Sequence, residues 1–198
     1  MAFKGNLTAI ATAELNLWQA GGWTECVSGT NPGPGSARVN VYWEQGLGLG
    51  YTGCDQDEYW SAAFICYCLK KAGMPASEFP FSEGHSTYIK WAIANTKQNK
   101  AEKTYYGKRL DYPPKPGDMI ARWYKNSPND PDPNITFDNQ PAGLYPSHCD
   151  IVVSASATTI ATIGGNVSNK VSRTVYSATD GVLNPVKELI CVLACAKQ

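Results

Sequence analysis

Apolar positions recur with two periods along the chain, and each period predicts a type of element. Leu7, Ile10, Ala11, Leu15 and Trp18 fall on one side of a helix over residues 6–19, which stops at Gly21-Gly22. A Gly/Pro-rich loop (28–36) and a Tyr/Trp/Gly segment (41–53) follow. Residues 58–72 are apolar nearly all round, with Asp55 and Asp57 before them, Lys70-Lys71 near the end and Gly73 beyond. That pattern predicts a buried central helix with charges that suit its dipole. A shorter helix begins near His85-Ser86 and runs through Thr96.

The period then changes to two. After a polar, Lys-rich stretch (96–115), residues 119–124 (MIARWY) read as a strand. Residues 149–155 and 158–166 read as a β-hairpin, and residues 189–195 as a closing strand. Before the hairpin, residues 125–147 contain five prolines, a loop long enough to suggest either a functional segment such as a lid or a disordered one. Helices first and antiparallel strands afterwards predict an α+β fold. The 198 residues correspond to one domain, 1–198.

Composition narrows the classes of function. Seventeen basic and seventeen acidic residues give zero net charge, so there is no electrostatic footprint for nucleic acid or an anionic membrane. No apolar run reaches the ~18 residues of a membrane span. The N-terminal apolar stretch is short and alternates with Thr, and it reads as a helix rather than a secretion signal. Seven cysteines, an odd number, cannot all pair within one chain. Cys66, Cys68, Cys191 and Cys195 lie in apolar runs and read as core residues, which suggests folding in a reducing compartment with room for one or two bridges. With two histidines and no C-x2-C pair, no structural zinc site is expected, and no cofactor is implied.

Three residues can be assembled into a catalytic constellation. Ser61 opens the apolar helix, where free N–H groups and the dipole favour a developing anion. His148 immediately precedes the strand Asp150–Val153, and Asn166 closes the next strand, where its amide can orient the imidazole. Taken singly, each has an ordinary structural reading: a helix-start serine, a strand-end histidine and a turn asparagine. Asp150 shares a face with His148 and can assist it if Asn166 does not. His85 reads either as a capping or packing residue or as a group on the cleft rim, binding substrate or acting as a second acid/base. Trp60, beside Ser61, is a further auxiliary candidate. Cys149 points to the opposite face from His148, and Cys66 lies about 140° around the helix from Ser61. Cys54 is therefore the one cysteine able to stand in as nucleophile.

The order of these residues resembles the papain-like NlpC/p60 and CHAP superfamily of bacterial cell-wall amidases and endopeptidases. It is most similar to an uncharacterised branch that includes type VI secretion effectors. The matching stretches are Trp60-Ser-Ala-Ala-Phe64, residues 81–89, Pro116-Gly-Asp118, His148-Cys-Asp-Ile-Val-Val153 and Ile163-Gly-Gly-Asn-Val167, spanning about residues 55–170. The resemblance implies a papain-like fold with nucleophile at 61, base at 148 and orienting residue at 166. It also implies a peptidoglycan substrate, with an immunity protein and secretion machinery as partners. The place of action it implies is the periplasm of a target bacterium, after synthesis in the cytoplasm.

One departure stands out: the superfamily's nucleophile is Cys, and here it is Ser61. A thiol is readily ionised by a neighbouring His, whereas an alcohol needs a well-placed base and a strong oxyanion site. A natural Ser–His–Asn hydrolase, an introduced Cys-to-Ser replacement and an inactive or repurposed site all remain open. By function, the corresponding readings are a peptidoglycan amidase/endopeptidase, a non-catalytic module that binds cell-wall peptides or a partner protein, and a Ser-dependent acyl hydrolase or transferase.

Overall fold

The computed structural model describes residues 2–26, 32–55 and 57–198. Its described residues form four helices and a curled antiparallel sheet, an α+β architecture. The helices are α1 (Phe3–Gly21), α2 (Pro34–Leu47), α3 (Ser61–Lys71) and α4 (His85–Lys97). The strands are β1 (Tyr105–Lys108), β2 (Met119–Trp123), β3 (Ser147–Ala155), β4 (Thr159–Gly164), β5 (Ser172–Thr179), β6 (Val182–Leu183) and β7 (Leu189–Cys195). They lie in the order β1-β7-β2-β3-β4-β5-β6.

Helix α3 is central because its sequence leaves it no polar face: every residue from Ser61 to Leu69 is buried. It packs on α1, α2 and β3. Alternation along β3 divides its side chains between two cores. Cys149 and Ile151 join the helix-facing core with Phe64 and Leu69. Val152 joins a smaller core on the other face with Ile120, Ile160 and Val192. His148 and Asp150 have the parity of Val152, so both project from the face opposite Cys149.

Four elements depart from the sequence expectations. The first half of the Tyr/Trp/Gly segment, to which no element was assigned, is the second half of α2. Pro34 starts that helix, and Val39, Tyr42, Trp43 and Gly46 form its buried stripe. Of the Gly/Pro-rich loop expected at 28–36, residues 28–31 lie outside the described residues. The helix expected from residue 58 begins at Ser61, with no acidic residue in its first turn. Asp55 instead closes a turn by accepting hydrogen bonds from the Thr52 N–H and hydroxyl. Strands β1 and β5 appear where a polar stretch and an unassigned segment were expected.

Residues 124–146 contain no helix or strand, as the proline content predicts. This loop is tied down along its length. The Lys90 ammonium donates to the Ala142 and Gly143 carbonyls, Arg109 pairs with Asp138, and Lys187 pairs with Asp132. No helix among the described residues is long and apolar enough to cross a membrane.

Candidate active site

The N-terminus of α3 places Ser61 where the ends of β2, β3 and β4 and the start of α4 converge. No side chain caps this helix, and the first main-chain hydrogen bond runs from Phe64 N–H to the Trp60 carbonyl. The N–H groups of residues 61–63 therefore lack a helical acceptor. Ser61 lines two adjoining depressions. One, of about 480 Å³, is lined by Tyr59, Arg122, Tyr124, His148 and Asn166. The other, of about 180 Å³, is lined by Asp57, Glu83, His85, Tyr145 and Pro146. Both ends of the 124–146 loop thus wall the cleft, through Lys125 and Asn126 on one side and Tyr145 and Pro146 on the other.

Two histidines meet beside the serine, their ring centres 5.1 Å apart. His148 Nε2 lies 2.8 Å from Asp150 Oδ1, so the Nε2–H donates to the carboxylate and Nδ1 remains as the acceptor. Asp150 is 1% exposed, which makes this a desolvated contact. His85 Nε2 lies 2.7 Å from Ser61 Oγ, and His85 Nδ1 is bonded to the Tyr88 hydroxyl one turn along α4. Burial holds the His85 pKa well below its ordinary value, and His148 and Arg122 push it the same way. Burial likewise raises the Tyr88 phenol well above its usual range, with Cys149, Cys66 and Asp150 adding to the effect. Both groups are neutral at physiological pH.

The glycines of the Ile163-Gly-Gly-Asn-Val167 stretch owe their place to the His148–Asp150 pair and to α3. A Cβ on Gly164 would stand 1.7 Å from Asp150 Oδ1 and 3.0 Å from His148 Nε2. A Cβ on Gly165 would stand 2.5 Å from the Phe64 Cβ. Side-chain-free backbone is what lets β4 approach both the His–Asp pair and the serine helix.

The structure thus brings together Ser61, His148, Asp150, Asn166 and His85, but not all in the expected roles. Asn166 lines the cleft with a left-handed backbone (φ 55°), yet the hydrogen bond that orients His148 is the one its Nε2–H donates to Asp150. A carboxylate two positions along the same strand reaches the ring more directly than an amide on the neighbouring turn. His85 is not on the rim; it is 4% exposed and bonded to Ser61 itself. Trp60 does not face the cleft. It is buried between Trp18 and Tyr42, with its Nε1–H donated to Glu25 at 2.7 Å, and it fixes the entry to α3. Cys54 cannot be a nucleophile because it forms a disulfide with Cys26. Tyr88 and Arg122 were missed by sequence reasoning. A Tyr three residues after a His on a helix is a readable spacing for Tyr88, but nothing local marks Arg122.

The remaining cysteines are inert by environment. Cys66, Cys68, Cys149, Cys191 and Cys195 are free and buried. Burial pushes the Cys66 thiol up to about 12, and desolvation raises the other four as well. No cluster of three or more metal-binding side chains occurs among the described residues.

The chain belongs to a bacterial protein family, DUF2272, described as an uncharacterized protein conserved in bacteria, whose model matches residues 29–191. No curated protein and no solved structure matches it.

Proposed function

We propose that this protein is a serine-dependent amidase or endopeptidase of the papain-like type, acting on peptidoglycan through an acyl-enzyme. The observation that carries the reading is the placement of Ser61. Its hydroxyl stands at an uncapped helix N-terminus and shares one cleft with an imidazole held by a buried carboxylate. The family-like order of serine helix, histidine strand and Gly-Gly turn supports the papain-like assignment.

In this mechanism Ser61 Oγ attacks the amide carbonyl while its proton passes to His148 Nδ1. The carbonyl electron pair moves onto oxygen, where the free N–H groups at the start of α3 stabilise it. Collapse breaks the C–N bond, and His148 returns the proton to the departing amine. Water then repeats the sequence on the ester. Asp150 keeps His148 in the tautomer with Nδ1 open and stands beside the positive charge formed in each half-reaction. An alcohol nucleophile makes these supports more important than they are for a thiol.

The cleft suits a polymer of mixed charge: Asp57 and Glu83 lie on one side of Ser61, Arg122 and Lys125 on the other. The Cys26–Cys54 bridge fits work in an oxidising compartment such as the periplasm. An effector role, with secretion machinery and an immunity protein, follows from the same family resemblance.

The test is digestion of purified peptidoglycan by wild type, Ser61→Ala, Ser61→Cys and His148→Ala, with muropeptides read by mass spectrometry. Wild type and Ser61→Cys are expected to release the same fragments, and the other two variants none. An intact sacculus with both competent forms would overturn the substrate. Release of fatty acid from lipid esters without muropeptide change would move the activity to acyl-ester hydrolysis.

A further inference from the structure

We infer that His85 is a neutral hydrogen-bond donor to the Ser61 oxygen, held in that state by Tyr88, and that it compensates for an alcohol in the nucleophile position. The inference deepens the serine-hydrolase reading and rests on it for its catalytic meaning.

The argument is one of proton bookkeeping in a buried chain of three groups. Tyr88 is fully buried, and among the described residues its hydroxyl has one hydrogen-bond partner, His85 Nδ1. Were Nδ1 to carry the proton, the phenolic O–H would point into the core with no acceptor, an arrangement that buried hydroxyls avoid. Tyr88 therefore donates, Nδ1 accepts, and the proton of the neutral ring sits on Nε2, 2.7 Å from Ser61 Oγ. That bond occupies a lone pair of Oγ and leaves the serine's own O–H free to turn toward the larger cavity, which His148 lines.

The two histidines thus have opposite assignments. His148 presents an open nitrogen and has a carboxylate behind it, so it can take up the serine proton. Among the described residues His85 has no carboxylate as a hydrogen-bond partner, and His148 and Arg122 act on it electrostatically, so a positive charge there is disfavoured. As the Oγ–C bond forms, the proton moves from Oγ to His148. The His85 N–H bond stays intact and stabilises the negative charge that develops on Oγ as its proton leaves. Tyr88 acts through His85 and is a positioning residue.

The protein contains two histidines, so a long-range 1H–15N spectrum of 15N-histidine-labelled wild type at pH 7 resolves both rings, with His148→Gln assigning them. The expected result is a protonated Nε2 and an unprotonated Nδ1 on His85. A His85 ring protonated on Nδ1 would overturn the inference, since Nε2 would then accept from Ser61 as a base. A second readout is the rate at which a fluorophosphonate labels Ser61 at pH 7. Tyr88→Phe should slow labelling about tenfold, roughly the effect of one such hydrogen bond, and His85→Leu should slow it further. His85→Gln, which keeps an N–H donor, should recover part of the loss. Equal rates in His85→Gln and His85→Leu would overturn the donor role. Failure of peptidoglycan digestion with the Nε2–H tautomer intact would remove the substrate assignment and leave the His85–Ser61 bond standing.

Discussion

Gly164→Ala is the substitution that most sharply tests how the His–Asp pair is built. Gly164 does not have positive φ, so alanine meets no backbone penalty there. The new Cβ would instead lie 1.7 Å from Asp150 Oδ1, where real Cβ atoms essentially never come within 3.0 Å. The carboxylate must retreat by about 1.3 Å, the difference between these two distances, and the 2.8 Å bond to His148 cannot survive that shift. Loss of a buried hydrogen bond to a charged group costs about 1.5–3 kcal/mol, equivalent to a rate loss of roughly 10- to 150-fold. The assay is the initial rate of Ser61 labelling by a fluorophosphonate, run in wild type, Gly164→Ala, Asp150→Ala and the double variant. Once Asp150 is truncated the severe clash disappears and only the 3.0 Å contact with His148 Nε2 is left, which a shift of a few tenths of an ångström relieves, so adding Gly164→Ala to Asp150→Ala should change the rate much less than in the wild-type background, by less than about threefold. A Gly164→Ala protein with the wild-type rate would refute the reasoning. So would an equal loss in both backgrounds, because the glycine would then matter for some reason other than Asp150.

Other parts of the structure make independent predictions. The Cys26–Cys54 bridge closes a loop of 28 residues in sequence, which corresponds to about 3.5 kcal/mol of stability. Cys54→Ser, or reduction of the wild type, should therefore lower the melting temperature by roughly 10 °C, and an unchanged melt would contradict the bridge. N-ethylmaleimide at pH 7 should leave the five free thiols of the native protein unmodified and add five groups after unfolding. Rapid native labelling at Cys66 would contradict its burial. The His85 pKa is depressed in the fold, so below 6.5 the unfolded chain binds a proton that the native state refuses. Stability attached to this residue is thus complete above that pH and is lost on acidification, at up to about 1.4 kcal/mol per pH unit. Guanidinium unfolding between pH 7 and 5 should show the loss in wild type and less of it in His85→Gln; equal slopes would mean His85 is not held neutral.

Elements with an unambiguous period were legible from sequence: the all-apolar α3, the alternating β3 and β4, and the apolar β7. Alternation along β3 also gave the shared face of His148 and Asp150. Helix α2 was hidden because its buried stripe uses Tyr42, Trp43 and Gly46, residue types that read as loop or aromatic patch when counted by composition. Strand β5 lies near the edge of the sheet and alternates exposed and half-buried positions without an apolar run. At the site, local spacing could not show that Ser61 would meet His85 across 24 residues, because that contact depends on how α4 docks beside α3. The disulfide was equally invisible, since spacing does not determine which cysteines pair. Trp60 was misplaced for the converse reason: adjacency to Ser61 in sequence turned it a third of a turn away, into the core.

The central claim, that Ser61 is an activated nucleophile served by His148, is tested most directly by intact-mass measurement after exposure to a fluorophosphonate. One adduct on wild type, mapped to Ser61 by peptide sequencing and absent from His148→Ala, is the expected result. An unmodified wild-type protein, an adduct on another residue, or full labelling of His148→Ala would contradict it.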